Sequence, residues 1–282
     1  MKLYIFHYHL LPGGVTGVIA SSVRAVLGGM PEVDEVVLVT GDTEGTSEVA
    51  GLLPQGARIL HFPEIGYLSL SQLSEPEGGY LPAGRGGKEE KAKRRREESA
   101  RLEARIRVRL LQECQPGDSL WWVHNYHLGK NPVFTNAILR LAEERRDIKL
   151  LLHIHDFPES ARYSNLRFLN LLLAGSPYPL GGNIKYATIN SRDLHLLREA
   201  GIPQKDSFLL PNPLEIGESG TGTSECFRVR ERLRTAFGRS FPLFDPEAPM
   251  VLYPVRTIRR KNVMEAALLT QTLSYPVNLV VT

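Results

Sequence analysis

Short apolar runs and amphipathic stretches alternate along most of the chain. Leu3–Phe6, Val36–Thr40, Arg58–Phe62, Leu120–Val123, Lys149–Ile154, Ile184–Asn190 and Phe208–Leu210 read as strands bounded by polar, Gly or Pro residues. Helical patterns fall between them at Val18–Leu27, Pro132–Arg145 and Ser191–Ala200. Pro opens the second of these and Gly201 follows the third, as helix starts and stops require. This alternation predicts an α/β domain with a mainly parallel sheet. Such sheets bind ligands outside the carboxyl ends of their strands, so the loops after each strand carry the candidate chemistry.

Three stretches break the rhythm. Residues 67–87 are rich in Gly, Pro and Ser and read as a mobile surface loop. Residues 88–114 read as a charged helix, with Leu102, Ile106 and Leu110 spaced to pack along one face. Within 88–109 ten Lys/Arg stand against five Asp/Glu. The interleaved Glu favours a solvated helix of alternating ion pairs, and a basic face resting on anionic lipid or nucleic acid is the alternative. After residue 213 a Gly/Ser/Thr-rich linker leads to a helix at Phe227–Phe237, so domains are expected at 1–213 and 214–282. The second contains a strand from Val251, a helix after Asn262 and a strand over Val277–Thr282. One strand–helix–strand unit cannot bury both faces of its sheet, so a fragment of a longer protein is expected.

Candidate chemistry lies in four loops. Gly13 and Gly14 let a ligand approach the backbone and the N–H groups of the following helix; a plain tight turn explains them about as well. His124, Asn125 and His127 follow one strand, and His155 and Asp156 follow the next, while His153 reads as a core histidine. Imidazole and amide groups of this kind can bond the hydroxyls of a sugar. A metal-dependent hydrolase would need Asp and His where Phe157 and Pro158 stand, so no metal is expected. Lastly, Arg256 and Lys261 follow an apolar run, and Asn262 with Glu265 reads as a capping box opening a helix, an arrangement suited to a diphosphate.

Composition narrows the class. Of 282 residues, 42% are apolar and 23% charged, ordinary for a globular protein, and the net charge of +3 does not make the molecule a binder of nucleic acid. Cys114 and Cys226 fall short of a disulfide framework. No run approaches the ~20 apolar residues of a membrane span, and Met1–His7 reads as a strand rather than a leader. A cytoplasmic location is expected, with peripheral contact at the inner membrane face through helix 88–109 as an option.

Taken together, these residues resemble a retaining glycosyltransferase of the GT-B fold, of the family 4 type. Leu11-Pro-Gly13-Gly14 is similar to the family's glycine-rich loop, and Leu151–Asp156 to the loop whose histidine approaches the transferred sugar, with His155 the best match. Thr188–Arg192 and Leu210-Pro-Asn212-Pro213 resemble the exit from the first domain, where the family often has Asn-Gly. Arg256 and Lys261 match its diphosphate-gripping pair, with Val255 and Asn262 where the family has Gly. The resemblance implies a Rossmann-like N-terminal acceptor-side domain plus the first βαβ part of a second Rossmann-like domain that binds the nucleotide sugar. It implies transfer of a hexose from a nucleoside-diphosphate sugar without a cofactor, with Asp156 and Asn212 at the substrate. The acceptor is left open among a sugar, a glycerate-like molecule and a lipid. The family's pair of glutamates, eight residues apart, would come after Thr282, so the 282 residues alone are expected to be inactive. A nucleotide-sugar epimerase or phosphorylase of the same fold, and a truncated binding module, are the alternatives.

Overall fold

The computed structural model describes residues 1–73, 85–161, 163–213, 223–255, 257 and 261–281. Two compact units, Met1–Leu214 and Glu215–Thr282, divide the chain. The first runs β1 (Lys2–His7), α1 (Gly14–Gly29), β2 (Glu35–Thr40), α2 (Thr46–Ala50), β3 (Ala57–His61), α3 (Arg85–Glu113), β4 (Ser119–His124) and α4 (Pro132–Glu144). It continues through β5 (Lys149–Ile154), α5 (Pro158–Ala161), α6 (Tyr163–Leu172), β6 (Ile184–Thr188), α7 (Ser191–Glu199) and β7 (Ser207–Leu209). All seven strands are parallel, in the order β3-β2-β1-β4-β5-β6-β7. Strand order reverses between β1 and β4, which opens a crevice at their carboxyl ends.

Both faces of the sheet are covered, which is why its strands are apolar at nearly every position. Tyr4 and Phe6 of β1 point into one core with Trp121, Phe134 and Leu150, whereas Leu3 and Ile5 join Ile19, Val36 and Trp122 on the other side. Leu102, Ile106 and Leu110 of α3 are buried in the first core, along the face their spacing predicts. The helix's charges pair with neighbours: Arg94 with Glu90 at 3.1 Å, and Arg109 with Glu64 at 2.8 Å. Arg109 also lies 4.4 Å from the centroid of the Phe62 ring. Two boundaries move. α3 begins at Arg85, so residues 85–87 are helix rather than loop, because Gly lowers helix propensity by about 1 kcal/mol without forbidding helical angles. α1 likewise starts at Gly14 instead of Val18. Residues 74–84 of the expected loop lie outside the described residues.

Asn131 ties the rim of the crevice together. Its Oδ1 caps α4 by accepting from Phe134 N at 2.9 Å. Its Nδ2 donates to the carbonyls of Glu64 (2.9 Å) and Gly66 (2.8 Å), and Leu68 N donates to Lys130 O at 2.9 Å. These bonds draw the segment after β3 across to the loop after β4.

The second unit holds α8 (Thr223–Ser240), β8 (Met250–Tyr253), α9 (Val263–Gln271) and β9 (Asn278–Val281). β8 and β9 pair in parallel, so the expected strand–helix–strand unit is present. α9 buries no residue, and Leu252, Leu268 and Leu269 remain 60–66% exposed. The expected capping box does not form. Asn262 precedes α9 but has φ of 51°, and its side chain makes no cap bond. A capping side chain reaches the first-turn N–H groups from extended backbone, not from the left-handed region. Among the described residues no helix is long and apolar enough to cross a membrane.

Candidate functional site

β1, β4 and β5 end side by side, and their last residues and following loops bring five of the chain's histidines together at the switch point. His124 faces His153 across the β4–β5 ladder. His124 Nδ1 lies 2.9 Å from His155 Nε2, so one of these rings donates a hydrogen bond to the other. Trp122 stacks on both strand-end rings, 5.0 Å from His124 and 5.7 Å from His153, and donates from Nε1 to His153 Nδ1 at 3.2 Å. Indole nitrogen can only donate, so His153 Nδ1 is bare and its proton sits on Nε2. His7, at the end of β1, has its ring 6.3 Å from His124 and 5.2 Å from His9.

The rings of His7, His124, His153 and His155 are uncharged at neutral pH. Burial, then the neighbouring His9 and His155, lowers His7 from 6.5 to about 3. Burial, then His155, brings His153 to about 3, while the Leu210 backbone pulls weakly the other way. His155, only partly buried, falls to about 4, again chiefly from burial. Burial holds His124 well below its ordinary value, with His153 next in effect. His124 Nε2, His153 Nε2 and His7 Nδ1 are buried without a hydrogen bond of normal geometry. The cluster therefore offers neutral donors and acceptors, not charge.

Ring nitrogens of His124, His153 and His155 lie within 4.8 Å of one another, a spacing that could admit a metal ion. A neutral histidine bound to metal through Nε2 carries its proton on Nδ1. On His153 that position already receives the Trp122 N–H, and two N–H groups would then face each other. The arrangement fits hydrogen bonding to hydroxyl groups better than metal ligation.

The remaining expected residues divide into holders and presenters. Asn125, buried with φ of 53°, accepts from His155 N through Oδ1 at 3.0 Å and so fixes the backbone of His155. His127 is fully buried and its Nε2 donates to the carbonyl of Asp156 at 2.9 Å. Both hold the loop after β5 in place, and Asp156 is half-buried beside His155. Gly13 and Gly14 are exposed at the start of α1, with no side-chain cap on its first turn. A Cβ added at Gly14 would meet nothing within 4 Å, and Gly13 has an extended φ of 171°. Neither packing nor backbone geometry demands glycine there. Asn212 is exposed beyond β7. Lys261 belongs to the second unit, where its carbonyl accepts from Tyr253 Oη at 2.6 Å, and Arg256 lies outside the described residues.

Three further polar residues stand at this rim: His9, Tyr67 and Lys130. His9 Nε2 lies 3.0 Å from Tyr67 Oη, and Lys130 Nζ lies 4.7 Å from the centroid of the Tyr67 ring. Lys130 was within sight in the loop after β4. Tyr67 carries no local signal, since long-range bonds from Asn131 and Leu68 bring its segment there.

No family model matches the chain. The mannosylglucosyl-3-phosphoglycerate synthase of Petrotoga mobilis is 31% identical over 272 residues, covering 96% of this chain and 48% of that protein. The chain thus spans about half the length of the curated relative it matches. Among solved structures, the UDP-GlcNAc 2-epimerase from Neisseria meningitidis, bound to UDP-GlcNAc, has a TM-score of 0.49 at 12% identity, over 99% of this chain and 66% of that one. The apo lipopolysaccharide outer core galactosyltransferase WaaB has a TM-score of 0.50 at 11% identity, over 100% of this chain and 60% of that one. That last likeness shows the fold: a Rossmann-like α/β domain on a seven-stranded parallel sheet, followed by a βαβ part of a second Rossmann-like domain, of the GT-B type.

Proposed function

We propose that the complete protein is a retaining glycosyltransferase of the family 4 type, moving a hexose from a nucleoside-diphosphate sugar to a glycerate-like acceptor. One observation carries the reading. Neutral, partly unsatisfied imidazoles meet an uncapped helix N-terminus with two exposed glycines, all at the switch point of a parallel sheet. That pairing suits a ligand with both hydroxyls and phosphates. The relative's name, a synthase of mannosylglucosyl-3-phosphoglycerate, supports both the hexosyl transfer and the glycerate-like acceptor.

In this reading His155 orients the transferred sugar by bonding a hydroxyl, with its position set by Asn125 and by its hydrogen bond with His124. His127 positions Asp156 against the same sugar. Gly13 and Gly14 bring backbone N–H groups to phosphate, and Asn212 contacts the substrate. Arg256 and Lys261 stabilise the negative charge that grows on the leaving diphosphate, an electrostatic role that needs no metal.

The test uses the full-length protein with a panel of nucleoside-diphosphate hexoses and either 3-phosphoglycerate or its glucosyl derivative. A hexosylated product whose anomeric configuration matches the donor, read by mass spectrometry and proton NMR, is expected. Release of an epimerised nucleotide sugar, or consumption of donor only with inorganic phosphate, would assign the site to a different reaction.

A further inference from the structure

We propose that His124 is a positioning residue that holds His155 in a single tautomer, with its proton on Nδ1, so that the site presents a hydrogen-bond donor and reads an accepting oxygen on the sugar. The geometry of the pair comes first. His124 Nδ1 and His155 Nε2 are 2.9 Å apart, while the ring centroids are 5.2 Å apart and the planes differ by 33°. Those values set the rings edge to edge, with an N–H of one aimed at the lone pair of the other. Both rings are neutral, so each carries one proton and the bond can run in only two directions.

Burial of the outer nitrogens decides between the two. If His155 donated from Nε2, the proton of His124 would sit on its own Nε2, an enclosed atom with no hydrogen-bond partner. The Nε2 of His153 carries a proton because Trp122 donates to Nδ1 at 3.2 Å, and it is enclosed in the same way. Two neighbouring rings, 5.0 Å apart, would then each bury an orphan N–H, which folded proteins rarely tolerate. With His124 donating from Nδ1, its Nε2 is a bare acceptor and only the N–H of His153 is left over. His155 Nε2 then accepts, and the proton of His155 is on Nδ1.

Nδ1 is also the nitrogen that a ligand can reach. His124 and His153 are 1% exposed, whereas His155 is partly exposed and neither of its nitrogens is among the enclosed, unpartnered atoms. Among the described residues the ring's hydrogen bond is the one to His124, and the backbone N–H is tied to Asn125 Oδ1 at 3.0 Å. The ring therefore cannot turn over without giving up the bond to His124. His155 meets the ligand as a neutral N–H donor, and His124, sealed behind it, sets that polarity without touching the ligand. The word sugar rests on the proposed transfer reaction; the tautomer does not.

Long-range proton–nitrogen correlation spectra of the chain carrying isotope-labelled histidine, at pH 7, read each tautomer directly, because a bare imidazole nitrogen resonates far downfield of a protonated one. The His155 signals are assigned by their loss in His155→Gln. They should show a protonated Nδ1 and a bare Nε2. His124→Asn, whose amide N–H stands close to the place of Nδ1, should keep that pattern. His124→Phe, a ring without a donor, should let the two nitrogens of His155 average toward a mixture. A proton on His155 Nε2 in the wild type overturns the proposal, as does an unchanged pattern in a His124→Phe chain shown by its melting curve to be folded. The second readout is the full-length protein's selectivity among monodeoxy and monofluoro nucleoside-diphosphate hexoses, taken as inhibition constants to keep fluorine's effect on the chemical step out. At the hydroxyl that His155 contacts, the deoxy sugar should bind about tenfold more weakly than the parent and the fluoro sugar only about threefold, since fluorine accepts but cannot donate. The gap should close in His124→Phe and reopen in His124→Asn. Equal losses for deoxy and fluoro sugars at every position would also overturn the proposal. If the wild type transfers no sugar, the transfer reading fails while the spectra still decide the tautomer.

Discussion

Acidification should loosen the first unit well before its carboxylates titrate. His7 and His153 have native values of about 3 and His155 of about 4, against 6.5 for each in the unfolded chain. Below pH 6.5 the unfolded chain therefore takes up protons that the native cluster refuses, and stability falls as pH falls. The stabilisation is fully present above 6.5 and is lost progressively down to the native values. Between pH 6.5 and 5 each imidazole costs about 2 kcal/mol, from 1.5 units at roughly 1.4 kcal/mol per unit. The three together set a ceiling of about 6 kcal/mol, a large share of the ~5–15 kcal/mol that holds a domain folded. His124 is displaced in the same direction. The paired surface acids lie outside this window, because Asp34, Glu35 and Asp147 are shifted down from 3.8–4.5. Glu103, raised chiefly by burial, works in the opposite sense. Urea denaturation followed by circular dichroism at pH 7, 6 and 5 reads the effect, with His153→Gln as comparison. The wild type should lose several kcal/mol and the variant about 2 kcal/mol less. A flat profile, or an identical slope in the variant, would refute the neutral-cluster account.

Other consequences follow from single contacts. Asn131→Ala removes a helix cap and leaves two rim carbonyls without their donor, so chemical denaturation should show a loss of about 3 kcal/mol. Gly14→Ala should leave the melting temperature unchanged, since its Cβ meets nothing, yet lower kcat/KM of the proposed transfer reaction about tenfold by blocking phosphate approach. A clear drop in melting temperature would instead give Gly14 a structural role. Trp122→Phe removes the N–H that holds His153 Nδ1 bare, so calorimetry with ZnCl2 should find tighter binding than in the wild type. Tighter binding by the wild type would revive the metal reading.

The sheet was legible because burial on both faces imposes continuous apolar runs, as in Val36–Thr40 and Lys149–Ile154, and seven such runs became seven parallel strands. Strand-end chemistry was legible for the same reason, since His124 and His155 follow those runs directly. Short helices were not. α2 has five residues, and α5 and α6 sit in 158–172, where no long apolar stripe announces them. The capping box failed because spacing says nothing about φ at Asn262. Long-range contacts were hidden as well: Trp122 as the group that sets the His153 tautomer, and Tyr67 at the rim, depend on register and on the Asn131 bonds. Asn125 and His127, read as substrate contacts, are seen bonding the backbone of the β5 loop, a role that only geometry reveals.

The most direct measurement is the transfer rate of the full-length protein carrying His155→Ala, beside the wild type, with folding checked by its melting curve. His155 is partly exposed at the centre of the cluster, so the variant should fold, and kcat/KM should fall about 100-fold, equivalent to roughly 3 kcal/mol of lost transition-state stabilisation. Transfer at the wild-type rate would contradict the account, because the sugar would then be handled somewhere other than the switch point of this sheet.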